Sequence, residues 1–146
     1  MKRVYISIVL MASTAVYAQD LRAIQSKARE EGKNVLLNFS AVWCGPCRWM
    51  ETTIFKDALV KEVIGSKYIL EKIDIDSNAN IASFFEVKSV PEYLILDSAL
   101  NVLYRRVGAM PKRQFLSLLQ QEHTLPLKAG IEKDSMLPAA IFDAPI

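Results

Sequence analysis

The chain has 146 residues, 51% of them hydrophobic and 23% charged, enough apolar material for one domain with its own core. Its formal charge of +2 comes from the extreme N-terminus: without Lys2 and Arg3, 16 basic residues face 16 acidic ones. Such a balance gives no basis for a nucleic-acid surface, which needs Lys and Arg clustered on one face.

Lys2 and Arg3 precede an uncharged apolar run from Val4 to Val16, and "AVYAQD" then supplies small residues before a polar turn. This is the pattern of a secretory signal peptide over residues 1–18, cut after Ala18 so that the mature chain starts at Gln19. As a membrane anchor the run falls short of the roughly 20 apolar residues that cross a bilayer. No second hydrophobic span follows, and no cysteine near the cut could carry a lipid. The expectation is a secreted protein, with the periplasm as its compartment and no stable membrane insertion after cleavage.

Asp20 to Glu31 reads as a short amphipathic helix with Leu21, Ile24 and Ala28 on one face, Asp20 as N-cap and Gly32 as the C-terminal glycine. Asn34 to Ser40, "NVLLNFS", reads as a strand covered on both faces. From Pro46 to about Val63, Trp49, Met50, Ile54, Leu59 and Val63 recur at roughly helical spacing, and Thr52 and Thr53 mark a bend. Tyr68 to Asp74 alternates as a strand and is followed by turn signals at Asp76 to Asn78; Asn80 to Glu86 is a short helix. Glu92 to Asp97 is a third strand, and a turn around Ser98 to Asn101 leads to a fourth over Val102 to Val107. Pro111 opens a last helix with Phe115, Leu118 and Leu119 inward. Helices between strands, then a hairpin and a closing helix, imply an α/β domain over 19–123: a mixed central sheet flanked by helices. Residues 124–146 contain three prolines and no sustained period, and form a C-terminal extension that is either packed over the domain or disordered.

Both cysteines of the chain lie in "SAVWCGPCRW". In an oxidising compartment a disulfide usually closes a large loop, but one between Cys44 and Cys47 closes a very small one and constrains the unfolded chain little. Zinc or iron–sulfur binding needs two further ligands, and besides acids the chain offers only His123, so no metal site is expected. A redox pair fits better. A strand ending at Ser40 and a helix starting near Pro46 place Cys44 where unpaired backbone N–H groups stabilise a thiolate. Cys47 follows about one turn later, on the same face and more buried. Cys44 would attack a partner's disulfide, and Cys47 would then resolve the mixed disulfide. Gly45 would let the backbone pass close to the sulfurs, and Pro46 would fix φ at the helix start without losing a needed donor. Trp43 is either an exposed aromatic shoulder beside the pair or a core tryptophan.

"WCGPC" after an apolar strand, then "SVPEYLIL", then "VGAMPKRQFLSLL", resembles the thioredoxin family over about Asp20 to Gln121. The helix before the first strand and "RWMETTIFKD" after the cysteines resemble exported thioredoxin-like proteins and the C-terminal domain of the transmembrane disulfide reductase. The resemblance implies a thioredoxin-like fold in which Pro91 is cis and lies against the cysteines, with the Val90 backbone pairing with an extended substrate segment. It also implies that Lys72 stands near the family's buried acid; on its own, Lys72 reads equally as a surface strand lysine. The sequence departs from the family at three places. The buried acid falls at Asn38, which cannot titrate, so proton exchange at Cys47 should be slower or differently pH-dependent. Glu92 replaces the usual Thr after the cis proline and would disfavour acidic partners. Thr52 stands where the helix-kinking proline belongs.

These readings imply a thiol–disulfide oxidoreductase that reduces or exchanges disulfides of exported proteins, with the Cys44–Cys47 dithiol in place of a bound cofactor. Its partners would be disulfide-containing proteins and a membrane electron donor, because an oxidising compartment supplies no reductant. The competing reading is a non-enzymatic adaptor on the same fold, suggested by Asn38 and the extension.

Overall fold

A computed structural model describes residues 14–123. The expected extension over 124–146 and the first thirteen residues of the expected signal peptide lie outside them. The elements in chain order are α1 (Thr14–Glu31), β1 (Asn34–Ser40), α2 (Gly45–Trp49) running into a π-helical turn (Met50–Ile54), α3 (Ala58–Lys67), β2 (Tyr68–Asp74), α4 (Ala79–Phe84), β3 (Glu92–Leu96), β4 (Val102–Val107) and α5 (Lys112–Gln120).

The sheet order is β2-β1-β3-β4. β1 pairs parallel with β2 and antiparallel with β3, and β3 pairs antiparallel with β4, so the sheet is mixed as expected. β1 and β3 are the central, covered strands; β4 is an edge strand with several exposed residues. Successive residues of β1 face opposite ways and feed two separate cores. Val35, Leu37 and Phe39 pack with Leu21, Ile24 and Ala28 of α1 and with Ile81, Ala82 and Phe85 around α4. On the other face Leu36, Tyr93 and Ile95 pack with Met50, Ile54, Val60, Ile64, Phe115 and Leu119 from α2, α3 and α5. The result is three layers, helices on both sides of one sheet.

Three sequence expectations need correction here. Asp20 does not cap α1, because the helix already runs from Thr14 through residues that carry no helix breaker. The long helix from Pro46 to Val63 is two helices. Phe55 N–H donates to Met50 O at 2.9 Å, a π-type bond, and Asp57 then starts a new helix by accepting from Leu59 N at 3.0 Å and Val60 N at 3.3 Å. The break resets the helical phase and leaves Leu59 exposed instead of inward; Trp49, before the break, is exposed as well. Finally, Pro111 is the residue before the first turn of α5 and not its first helical residue. At Thr52, where a bend was expected, the chain is in the π turn, and Thr52 Oγ1 donates to Arg48 O at 2.9 Å.

Candidate active site: the Cys44–Cys47 pair

β1 is the central strand and ends at Ser40, and the chain needs only four residues to reach the start of α2. Cys44 N–H closes this turn on Ala41 O at 3.1 Å, and Cys44 takes an extended conformation as the N-cap of α2. Cys47 N–H, one of the amides that a helix start leaves without an internal acceptor, donates to Cys44 Sγ at 3.2 Å. In the reduced protein the same donor would stabilise a Cys44 thiolate, the charge state that attacks disulfides. The two cysteines form a disulfide with their Cα atoms 5.3 Å apart. Cys44 is 4% exposed and Cys47 3%, so the expected difference in burial is slight in this oxidised state.

The surroundings of the pair come from three loops. Val90 and Ile75 pack against Ala41, Cys44 and Cys47, and the Val90–Pro91 peptide bond is cis, as the family resemblance implied. Pro91 O accepts from Gly108 N–H at 2.8 Å, and Gly108 takes a φ of +95° that favours glycine. Trp43 is 66% exposed, which settles its two readings in favour of the aromatic shoulder. Its indole Nε1–H donates to Asp76 Oδ2 at 2.9 Å, holding the ring to the turn after β2. Val42 and Trp49 extend the exposed apolar rim. Pro46 occupies the first turn of α2, where its missing donor costs nothing. Gly45 departs from expectation: a Cβ built there meets nothing within 4 Å, so nothing in the chain itself requires glycine.

Beneath the pair, Asn38 is 2% exposed. Its Nδ2 donates to Glu51 Oε1 at 2.9 Å, and Lys72 forms an ion pair with the other oxygen of the same carboxylate while lying 5.2 Å above the Phe55 ring. Lys72 therefore does stand by an acid, but that acid comes from the helix and not from β1. Glu51 escaped the sequence reading. Its signal was the spacing, four residues after Cys47 in the turn that continues α2. Asn38 Oδ1 and the Tyr93 hydroxyl are the buried side-chain polar atoms without a hydrogen-bond partner among the described residues. Burial pushes the Tyr93 phenol above its ordinary range, and the nearby Glu51 charge adds to the shift.

Glu92 also corrects an expectation. It is 1% exposed and ion-paired with Arg105, whose second nitrogen donates to Phe85 O at the end of α4. A carboxylate so enclosed presents no charge to a partner, so it cannot disfavour acidic ones. Among the described residues no three His, Cys, Asp or Glu side chains cluster as metal ligands, and no helix is long and apolar enough to cross a membrane. His123 stacks on Tyr104 and its Nε2 lies 2.6 Å from Leu118 O, in a structural contact beside α5.

A family model described as thioredoxin-like matches residues 16–98, more than half of the chain. The chain belongs to the thioredoxin-like family. Among curated relatives, a thioredoxin of Chlorobaculum thiosulfatiphilum is 33% identical over 97 residues, spanning 66% of this chain and 86% of the relative. Among solved structures, a thioredoxin from Thermus thermophilus superposes with a TM-score of 0.61 at 21% identity, covering 67% of this chain and 79% of the other. A disulphide isomerase from Xylella fastidiosa Temecula1 gives the same TM-score at 18% identity, over 69% and 86% of the two chains. At these identities the structural matches establish the fold. A Cys-x-x-Cys disulfide at a helix start, in a thioredoxin-like chain with Val90 of the cis Val90–Pro91 bond packed beside it, is the arrangement of a thiol–disulfide oxidoreductase.

Proposed function

We propose that this thioredoxin-like protein reduces or exchanges disulfides of exported proteins, with Cys44 as the attacking and Cys47 as the resolving cysteine. The observation that carries the reading is the Cys47 N–H aimed at Cys44 Sγ, which marks Cys44 as the sulfur whose thiolate the fold stabilises. An extended partner segment would lie along Val90 and Pro91, with Val42, Trp43 and Gly45 bordering it and Pro46 holding the helix start. The reaction consumes the dithiol: Cys44 and Cys47 are oxidised to the disulfide while the partner's disulfide is reduced to two thiols. Repeated turnover needs a dithiol donor, and in an oxidising compartment that donor is a membrane protein.

Export rests on the basic start, the apolar run and the small residues before Gln19. A cut after Ala18 keeps Leu21, Ile24 and Ala28, the buried residues of α1, in the mature domain. The likeness of "RWMETTIFKD" to the C-terminal domain of the transmembrane disulfide reductase supports the same compartment. The mass of the exported protein should correspond to a chain starting at Gln19. Against the adaptor reading stand the intact Cys44 and Cys47; Asn38, one of its grounds, is hydrogen-bonded to the Glu51 carboxylate.

The Gly-Pro dipeptide between the cysteines resembles that of reducing thioredoxins, so the reduction potential should lie near thioredoxin's own, about −270 mV. Equilibration with a glutathione series measures it. A value near about −120 mV, that of a strong oxidant, would overturn the reductive direction.

A further inference from the structure

We propose that Arg105 is a positioning residue for partner binding: its guanidinium ties Phe85 to Glu92, the two residues that flank segment 86–91, and so fixes where the Val90 backbone meets an extended partner chain. The inference rests on the redox reading above and on the partner segment placed there along Val90 and Pro91; it names what holds that part of the site.

Segment 86–91 leaves α4 and enters β3. Glu86 takes a φ of +54°, and the N–H groups of Glu86 and Val87 donate back to Ser83 O at 3.0 Å and Ala82 O at 2.8 Å, so the chain turns out of the helix at once. At the far end Pro91 O accepts from Gly108 N–H. Between these points Lys88, Ser89 and Val90 form no backbone–backbone hydrogen bond among the described residues. Backbone groups at Val90 are thereby left for an added strand. Apart from the packing of the Val87 and Val90 side chains, the middle of the segment depends on where its ends are held.

Arg105 holds both ends. In the β3–β4 register Arg105 lies opposite Leu94 and Val107 lies opposite Glu92, which makes Arg105 the diagonal neighbour of Glu92 on one face of the sheet. Diagonal neighbours are about 7–8 Å apart, a span that a long side chain bridges. Arg105 Nη1 pairs with Glu92 Oε1, and Nη2 donates to Phe85 O, one of the carbonyls that a helix end leaves without an internal donor. One planar group therefore satisfies the last carbonyl before the segment and the first side chain after it.

A buried ion pair is often no more stabilising than apolar side chains of similar size, so stability alone does not account for a charge pair at this place. Geometry does. The guanidinium presents its donors in fixed directions, and this sets the distance between its two acceptors. With the ends of the segment set, the Val90 backbone is ordered before a partner arrives, and binding costs less. Loosening the clamp weakens the capture of a partner that pairs along Val90 and leaves the sulfur chemistry of Cys44 as it is.

The test compares two disulfides in single turnovers of the reduced protein. One is the disulfide dimer of a short alanine peptide with a central cysteine, long enough to pair along Val90; the other is an aromatic disulfide without a peptide backbone. The readout is the ratio of their second-order rate constants. R105K keeps a cation for Glu92 but offers a point charge in place of the fork. E92M/R105M removes the clamp without leaving a buried charge unpaired. In both variants the peptide rate should fall about fivefold, the worth of roughly one net backbone hydrogen bond, while the aromatic rate stays within about twofold of wild type. The urea midpoint of both should stay close to that of wild type, which separates positioning from a loss of fold. A ratio unchanged from wild type, an equal slowing of both disulfides, or variants that do not fold would each overturn the proposal. Wild-type protein that reduces neither disulfide would instead overturn the redox reading itself, and the role of Arg105 with it.

Discussion

The two faces of the sheet each hold a carboxylate paired with a cation, and the two pairs are built differently. Glu92, on the α1 and α4 face, is sealed and spends its charge on Arg105, which in turn holds the end of α4. Glu51, on the α2 face, is one-third open and shares its oxygens between Asn38 and Lys72, in a row where two other polar atoms have no partner. A fully satisfied, water-free pair fixes geometry, here that of the chain entering and leaving the cis proline. An open one, which water reaches, contributes little to the fold by itself.

The contrast can be broken most forcefully at Arg105. R105M leaves the Glu92 carboxylate buried without its cation and should cost about 3 kcal/mol, the low end for a broken buried pair because Arg105 itself is partly exposed. Urea unfolding measures the loss, and replacing both partners by apolar residues should recover most of it. The corresponding change on the other face, E51Q, should shift the unfolding free energy by less than about 1 kcal/mol, as for other pairs that water reaches. A large loss there would make Glu51 a second structural pair and erase the distinction. Y93F sharpens it from the opposite side: removing a buried hydroxyl without a partner should stabilise the protein, by about 1 kcal/mol.

Smaller effects are expected from pH. Burial pushes the Tyr68 phenol up to about 12, and Glu122 adds to this, so the folded state favours the neutral phenol. The stability it contributes is complete below about pH 10 and is lost as pH rises from there through about 12. Y68F should therefore flatten the alkaline limb of thermal unfolding. Asp57, the N-cap of α3, has a carboxyl held below its usual range, first by its hydrogen bond from Lys112 and then by the backbone N–H groups of Val60 and Leu59. Its contribution is present above the ordinary carboxyl range and lost as pH falls through the lowered value. D57A should lower the melting temperature modestly at pH 7, and the difference should shrink below about pH 4.

Most of the framework was legible because it is local. β1, β2 and β4 have the boundaries read from the sequence, since each is an apolar or alternating run closed by turn residues. The buried face of α1 and the inward residues of α5 follow equally from helical spacing. Cys44, Cys47 and the exposed Trp43 came from one ten-residue stretch, and the cis bond at Pro91 from family resemblance alone. The misses were tertiary or one turn out of phase. The π turn after Trp49 shifts the helical phase, so Leu59 faces water although its spacing fits a core residue. Glu92 is neutralised by a residue thirteen positions away, brought opposite by a hairpin whose register shifts at Ile95 and Leu96. Glu51 was hidden because the family pattern directs attention to β1, where Asn38 stands. The carboxylate that bonds to Asn38 comes from the turn after α2.

The central claim, that Cys44 and Cys47 turn over partner disulfides, is tested most directly by insulin reduction driven by a dithiol donor. Wild-type protein should accelerate the precipitation of reduced insulin, C44S should abolish the acceleration, and C47S should accumulate a mixed disulfide with insulin through Cys44. Equal rates for wild type and C44S would contradict the account.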